Sequence, residues 1–277
     1  MSGSVEDEEG DLTRKQRREQ ARGERKALEQ AEAARAARRT RLMQLGIVLA
    51  IVAAIIVAIV IATSGGSKGG IQQVENGKPP QAETEVTSLL SGIPQSGNVL
   101  GSPTAPLTLK YYGDLECPIC KEFTLGVLPA LIPKYVRTGK LRIEYLSLET
   151  ATREPEVFKT QQVAALAAGK QQRAWNFIEL FYHEQGEESS GYVTESYLQG
   201  LASQVPGLNL ATWTTARSNP ALANEVTADA QAANQAGFTG TPSFELGKTG
   251  GTLQKLEAGT FTEAAPYETA IEKQLKG

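Results

Sequence analysis

An α/β fold with a block of helices inside it, preceded by a single transmembrane helix, is what this sequence predicts. Three observations carry that reading. Residues 42–62 contain no charged side chain over 21 positions. Two strand-like runs, 106–112 and 141–148, flank a helical stretch, the order of a βαβ unit. Residues 155–236 carry helical periodicity almost throughout, and the pattern then returns to strand, strand and helix.

The chain begins with residues 1–41, polar throughout and free of aromatic residues. Five acids (Glu6, Asp7, Glu8, Glu9 and Asp11) precede a Lys/Arg-rich run that ends at Arg41. Glu19, Glu24, Glu29 and Glu32 dilute the positive field of that run. It therefore reads as a solvated cytoplasmic arm rather than a polybasic patch on lipid headgroups. The net charge of −3 gives no pull towards nucleic acid.

LMQLGIVLAIVAAIIVAIVIA (42–62) is long enough to cross roughly 30 Å of hydrocarbon and is apolar on every face. A cleaved signal peptide has a short basic start and an apolar stretch of about 7–15 residues, so this segment reads as a retained signal-anchor. Arg35, Arg38, Arg39 and Arg41 lie just before it, and only Lys68 follows closely. The positive-inside rule then places the N-terminus in the cytoplasm and residues 65–277 outside, a single-pass protein of the cell membrane. Residues 63–91 are rich in small and polar residues, carry little to bury and read as a flexible extracytoplasmic tether.

Residues 92–277 form the globular part. PLTLKYY (106–112) is a short apolar and aromatic run that ends at Gly113-Asp114, the mark of a buried strand. Phe123, Val127, Leu128, Leu131, Ile132 and Tyr135 recur at helical spacing, with Pro129 and Pro133 predicting a kink or break. LRIEYLSL (141–148) alternates apolar Leu141, Ile143 and Tyr145 with Arg142 and Glu144, as a strand does. Within 155–236, stripes run through Trp175, Ile178 and Tyr182, and through Tyr197, Leu198, Leu201 and Val205. A further helix starts at Asn219-Pro220, cap followed by first-turn proline, and can end at Gly237. Residues 242–246 and 252–256 read as strands across a Gly-rich turn, and Tyr267, Ile271 and Leu275 give the closing helix its apolar face.

The only two cysteines, Cys117 and Cys120, stand in GDLECPIC (113–120). A structural zinc site needs four ligands, and the chain offers no other cysteine and only His183, read as an ordinary surface residue; no metal site is expected. A structural crosslink between positions three apart closes too small a loop to stabilise a domain of this size much. Redox exchange fits better. With Cys117 at a helix N-cap, Pro118 and Ile119 open the helix, and the unpaired first-turn N–H groups favour thiolate over thiol. Such effects bring CxxC thiols down from about 8.5 to roughly 3.5–7.5. Cys120, on the same helical face, can attack a mixed disulfide on Cys117.

The sequence resembles the membrane-anchored DsbA-like thiol–disulfide oxidoreductases of the thioredoxin superfamily. The resemblance is carried by GDLECPICKEF (113–123), VLPAL (127–131), TGKLRIEYL (138–146) and GFTGTPSF (237–244), with GIPQSGNVLGSPTAPLTL (92–109) as the lead-in. It implies a thioredoxin-like core with a helical insertion at about 155–236. It also implies a cis peptide between Thr241 and Pro242 that faces the cysteines and offers Thr241 backbone groups to a substrate strand. The chain departs from the family at Tyr111, six positions before Cys117, where many members carry a buried acid that relays protons to the second cysteine. Asp114, Glu116 or water is left to fill that part.

The leading expectation is a disulfide donor. Oxidised Cys117–Cys120 would serve reduced secreted or membrane proteins, without a cofactor, and a quinone-coupled membrane reoxidant of the DsbB or vitamin-K-epoxide-reductase type would regenerate it. A dedicated reductase on the same fold is the alternative, and a copper-handling or client-binding protein is a third.

Overall fold

The computed structural model describes residues 81–277; the charged arm, the apolar span 42–62 and the tether up to residue 80 lie outside the described residues. Among the described residues no helix is long and apolar enough to cross a membrane.

The span expected to be tether ends in a helix. α1 (Gln81–Leu90) buries Ala82, Val86 and Leu90, spaced four apart on one face. Its last carbonyls are held by the Arg137 guanidinium, which donates to Ser91 O and, at 2.8 Å, to Leu89 O. A basic side chain there satisfies acceptors that a helix C-terminus leaves open. Only three of ten residues are apolar anchors, so the composition of 63–91 hides the helix. A two-residue hairpin follows, β1 (Gln95–Ser96) and β2 (Val99–Leu100), with Gly97 in the left-handed region at its turn.

β3 (Leu107–Gly113) is the central strand and is buried along its length except at Lys110. β4 (Leu141–Ser147) runs parallel to it, Leu107 facing Leu141 and Gly113 facing Ser147. The crossover between them is broken where the prolines predicted. α2 (Pro118–Gly126) gives way at Val127 to α3 (Leu128–Leu131) and a π-helical turn, Ile132–Val136. Each proline lacks the N–H that a continuous helix would need.

The helical block is present as expected: α4 (Pro155–Gly169), α5 (Ala174–His183), α6 (Glu195–Gln204), α7 (Leu210–Arg217) and α8 (Pro220–Gln235). Asn219 caps α8 by accepting from Ala221 N at 3.0 Å, and Gly237 follows its end at φ +70°. β5 (Ser243–Lys248) returns antiparallel to β3, and β6 (Gln254–Lys255) and α9 (Ala265–Lys276) complete the domain. The sheet order is β1-β2-β4-β3-β5-β6, with the strand that leads to the cysteines near its middle.

α5 is buried from Ala174 to Tyr182, and that run includes Glu179. Among the described residues neither carboxylate oxygen of Glu179 has a hydrogen-bond partner, and burial raises its pKa from 4.5 to about 8. The native state therefore holds a proton there that the unfolded chain has lost, so stability falls as pH rises from 4.5 towards 8. At about 1.36 kcal/mol per unit the penalty is roughly 3 kcal/mol at pH 7. Glu179→Gln is expected to raise unfolding stability by roughly 2–3 kcal/mol at pH 7.5 and little at pH 4.5. Urea unfolding at both pH values measures it; an equal effect at both would contradict the assignment.

His183, at the end of α5, is not the surface residue expected. Its side chain is half-buried against α1, with Nδ1 3.8 Å from a Glu85 carboxylate oxygen. Burial lowers its pKa, and Glu85 works in the opposite direction. A last-turn residue faces solvent only when no other element covers it, and α1 does.

Candidate active site

The chain leaves β3 at Gly113 under a close constraint: a Cβ there would stand 2.7 Å from the Tyr145 ring. Asp114, Leu115 and Glu116 then turn the backbone into α2. The Asp114 carboxylate accepts from the backbone N–H of Glu116 (3.1 Å), Thr150 (3.0 Å), Ala151 (2.8 Å) and Thr152 (2.9 Å), and from the Thr152 hydroxyl (2.6 Å). It thereby ties the loop ahead of the cysteines to the loop after β4.

Cys117 is the N-cap of α2, with extended backbone at φ −72° and ψ 119°, and Pro118 takes the first helical position. Both features match the sequence reading. The Cys117 sulfur accepts from Cys120 N at 3.4 Å, and Cys117 Sγ lies 3.5 Å from Thr241 O. Its pKa falls from 9.0 to about 6. The hydrogen bond with the Cys120 side chain is the largest cause; burial opposes it, and Thr241 and the N–H groups of Cys120 and Ile119 assist. Cys120 is fully buried, and burial first, then Cys117, pushes its thiol well above the usual range. Both cysteines are free, the dithiol form. Pro118 and Ile119 are exposed beside them.

Thr241-Pro242 is cis, and the Thr241 carbonyl faces Cys117 while its hydroxyl meets that of Thr150. The structure thus brings together the residues singled out in sequence: Cys117, Pro118, Ile119, Cys120, Thr241 and Pro242. Next to the cis peptide lies a cavity of about 280 Å³ lined by Phe238, Pro242, Phe244, Leu256 and Phe261 among others.

Gln185 was not legible in the sequence. Its Nε2 donates to Leu115 O at 2.7 Å and to Cys117 O at 3.2 Å, clamping the start of α2 from just beyond the end of α5. No local pattern marks a glutamine for that task; only the packing of α5 against α2 does. Asp114, left open as a proton carrier, spends both oxygens on the five donors above. Glu116 is buried beside it, and burial is the main cause of its raised pKa.

A thioredoxin family model matches residues 95–256, well over half of the chain. The chain belongs to the thioredoxin family. Proteins named for disulfide bond formation are among the relatives it resembles. It is 23% identical over 184 residues to disulfide bond formation protein D of Bacillus subtilis, covering 65% of this chain and 77% of that one. It is 24% identical over 184 residues to a probable disulfide bond formation protein D of Bacillus anthracis, covering 64% and 77%. Among solved structures, oxidised BdbD from Bacillus subtilis matches with a TM-score of 0.55 at 23% identity, over 68% of this chain and 98% of that one. Wolbachia pipientis α-DsbA1 matches with a TM-score of 0.54 at 20% identity, over 68% and 92%. This thioredoxin-family chain is a DsbA-like protein dithiol–disulfide oxidoreductase, with the α/β core and added helices that its neighbours share.

Proposed function

We propose that the domain donates disulfides to secreted or membrane proteins through Cys117 and Cys120, on the outer side of a membrane to which residues 42–62 anchor it. The observation that carries the direction is the asymmetry of the two thiols. Cys117 has a pKa of about 6, and Cys120 is buried and raised. A thiolate exists only in the reduced enzyme, so whatever stabilises it favours reduction of the enzyme and oxidation of the client. A folded pKa depressed from 9.0 to about 6 gives stability that is complete above about pH 9 and lost as pH falls through about 6. At pH 7 this favours the reduced enzyme and moves the couple in the oxidising direction.

In the donor step a client thiolate attacks Cys117 of the oxidised pair and Cys120 leaves. A second client thiolate then attacks the client's own sulfur and releases Cys117, whose low pKa makes it the better leaving group. The Thr241 backbone beside Cys117 suits an extended client segment, and the cavity next to Pro242, where Phe238, Phe244 and Phe261 stand with Lys255 and Glu257, suits one of its side chains. A quinone-coupled membrane reoxidant would return the pair to the disulfide.

Equilibration against glutathione tests the direction. A potential between about −120 and −180 mV supports the donor, and one near about −270 mV, the range of reducing thioredoxins, overturns it. Cys120→Ala should also leave Cys117 caught in mixed disulfides with clients and reoxidant, which non-reducing electrophoresis of membranes would display.

A further inference from the structure

Behind Cys120 runs a row of buried hydroxyls that exchange chemistry alone does not call for. Tyr111 on β3 and Tyr182 on α5 are completely buried, as is Thr124 on α2. Tyr111 Oη lies 3.2 Å from Thr124 Oγ1, 3.3 Å from Cys120 O and 3.1 Å from Tyr182 Oη. Tyr182 Oη in turn donates to Asp114 O at 3.2 Å. The same carbonyl receives the Cys117 N–H at 3.0 Å.

Counting hydrogens fixes the direction of this row. A phenol has one proton to give. Tyr182 gives its proton to a carbonyl that can return none, so the contact between the phenols is donated by Tyr111. Tyr111, its proton committed, accepts from Thr124, and its approach to Cys120 O can only be a shared one. Burial holds both phenols well above their usual pKa, so neither ionises at working pH. One end of the row rides on the helical turn that carries Cys120, since Thr124 is four residues on. The other end sits on the carbonyl that holds the Cys117 amide.

We propose that the hydroxyl chain Thr124–Tyr111–Tyr182–Asp114 O sets the separation of the two sulfurs, and so the rate at which Cys120 displaces a thiol bound to Cys117. Tyr111 and Tyr182 are positioning residues in this scheme. The proposal rests on the reading that Cys117 and Cys120 exchange disulfides. In the step concerned, Cys120 attacks Cys117 sulfur, the bond from Cys117 to the bound thiol breaks, and the Cys117–Cys120 bond forms. The bound group leaves with the proton that Cys120 gave up, and no net oxidation occurs. Disulfide geometry tolerates a Cα separation of only about 4.4–6.8 Å, and misplacing reacting atoms by about 1 Å can slow a step about a hundredfold.

The test uses the purified full-length chain with glutathione as the bound thiol. The mixed disulfide is formed at Cys117, and its resolution by Cys120 is followed in a single turnover, with the Cys117 thiolate titration and thermal unfolding recorded alongside. Tyr111→Phe and Tyr182→Phe are each expected to slow resolution about tenfold to a hundredfold and, because the Cys120 side chain is the largest cause of the low Cys117 pKa, to move the Cys117 midpoint upward from about 6. The double variant should be no slower than the slower single one, because a chain is broken once. Thr124→Val, which keeps volume and removes only the first donor, should slow resolution in the same sense and covers the case in which a phenylalanine variant fails to fold. Resolution within twofold of wild type in folded variants overturns the proposal even if unfolding temperatures drop. Slowing that multiplies across the two tyrosines overturns the single chain. If the wild-type chain itself never resolves its mixed disulfide, the exchange reading fails and takes the proposal with it.

Discussion

Cys117→Ser is expected to abolish exchange, with a loss on the order of 10³ or more in the rate of reaction with a disulfide, since an alcohol cannot replace the attacking sulfur. The matching pH profile is specific. Only the thiolate attacks, and its fraction follows a midpoint of about 6. Alkylation of reduced wild-type enzyme should therefore rise about tenfold between pH 5 and 7 and change little from 7 to 8. Cys120, raised by burial, should contribute no ionisation in that window. A profile still climbing through pH 8 would mean that the N-cap position does not depress Cys117 and that no stabilised thiolate favours a donor. Cys120→Ala removes the largest cause of the depression, so its midpoint should move upward.

The central βαβ unit was legible because its signals are local. Seven consecutive strand residues buried almost throughout, then a helix opened by proline, can be read from neighbours along the chain. Pro129 and Pro133 marked the break for the same reason. The cysteine site was equally local on one side, since N-cap, proline and second cysteine lie within four positions. Its other side needed the family resemblance, because Thr241 is 124 residues away and a Thr-Pro pair is an ordinary turn signal. What stayed hidden depends on tertiary cover. α1 has three buried residues in a polar stretch, and nothing nearby shows that α5 lies beneath it or that Arg137 closes its end. His183 reads as a surface residue for want of the same partner. Glu179 breaks the rule the periodicity relied on: it is an acid within an entirely buried helical run, kept neutral by its surroundings. Tyr111 departs from the family pattern in the sequence itself, but its hydrogen bonds to residues on two helices arise only from packing.

Asp114→Ala is expected to be the most destabilising single change near the site, at roughly 3–5 kcal/mol. Five donors lose their acceptor at once, four of them backbone N–H groups. Each buried donor left unpaired costs about 1–3 kcal/mol, and the sum is reduced because Thr150 is exposed enough for water to replace part of the loss. Asp114→Asn should fall between, because one side of the amide presents N–H groups to donors that need an acceptor. The damage should reach the chemistry by a definite route. The freed loop carries Thr150, whose hydroxyl meets that of Thr241, and Thr241 lies against Cys117. Urea unfolding at pH 7 gives the stability change, and the Cys117 titration gives the local one. A loss under about 1 kcal/mol together with a large fall in exchange rate would reverse the assignment: Asp114 would then be handling protons for the thiols rather than holding two loops together. Its geometry argues for the second role, since an acid that moves protons needs an oxygen free to receive one, and both of these are engaged, one by three backbone N–H groups and the other by a backbone N–H and the Thr152 hydroxyl.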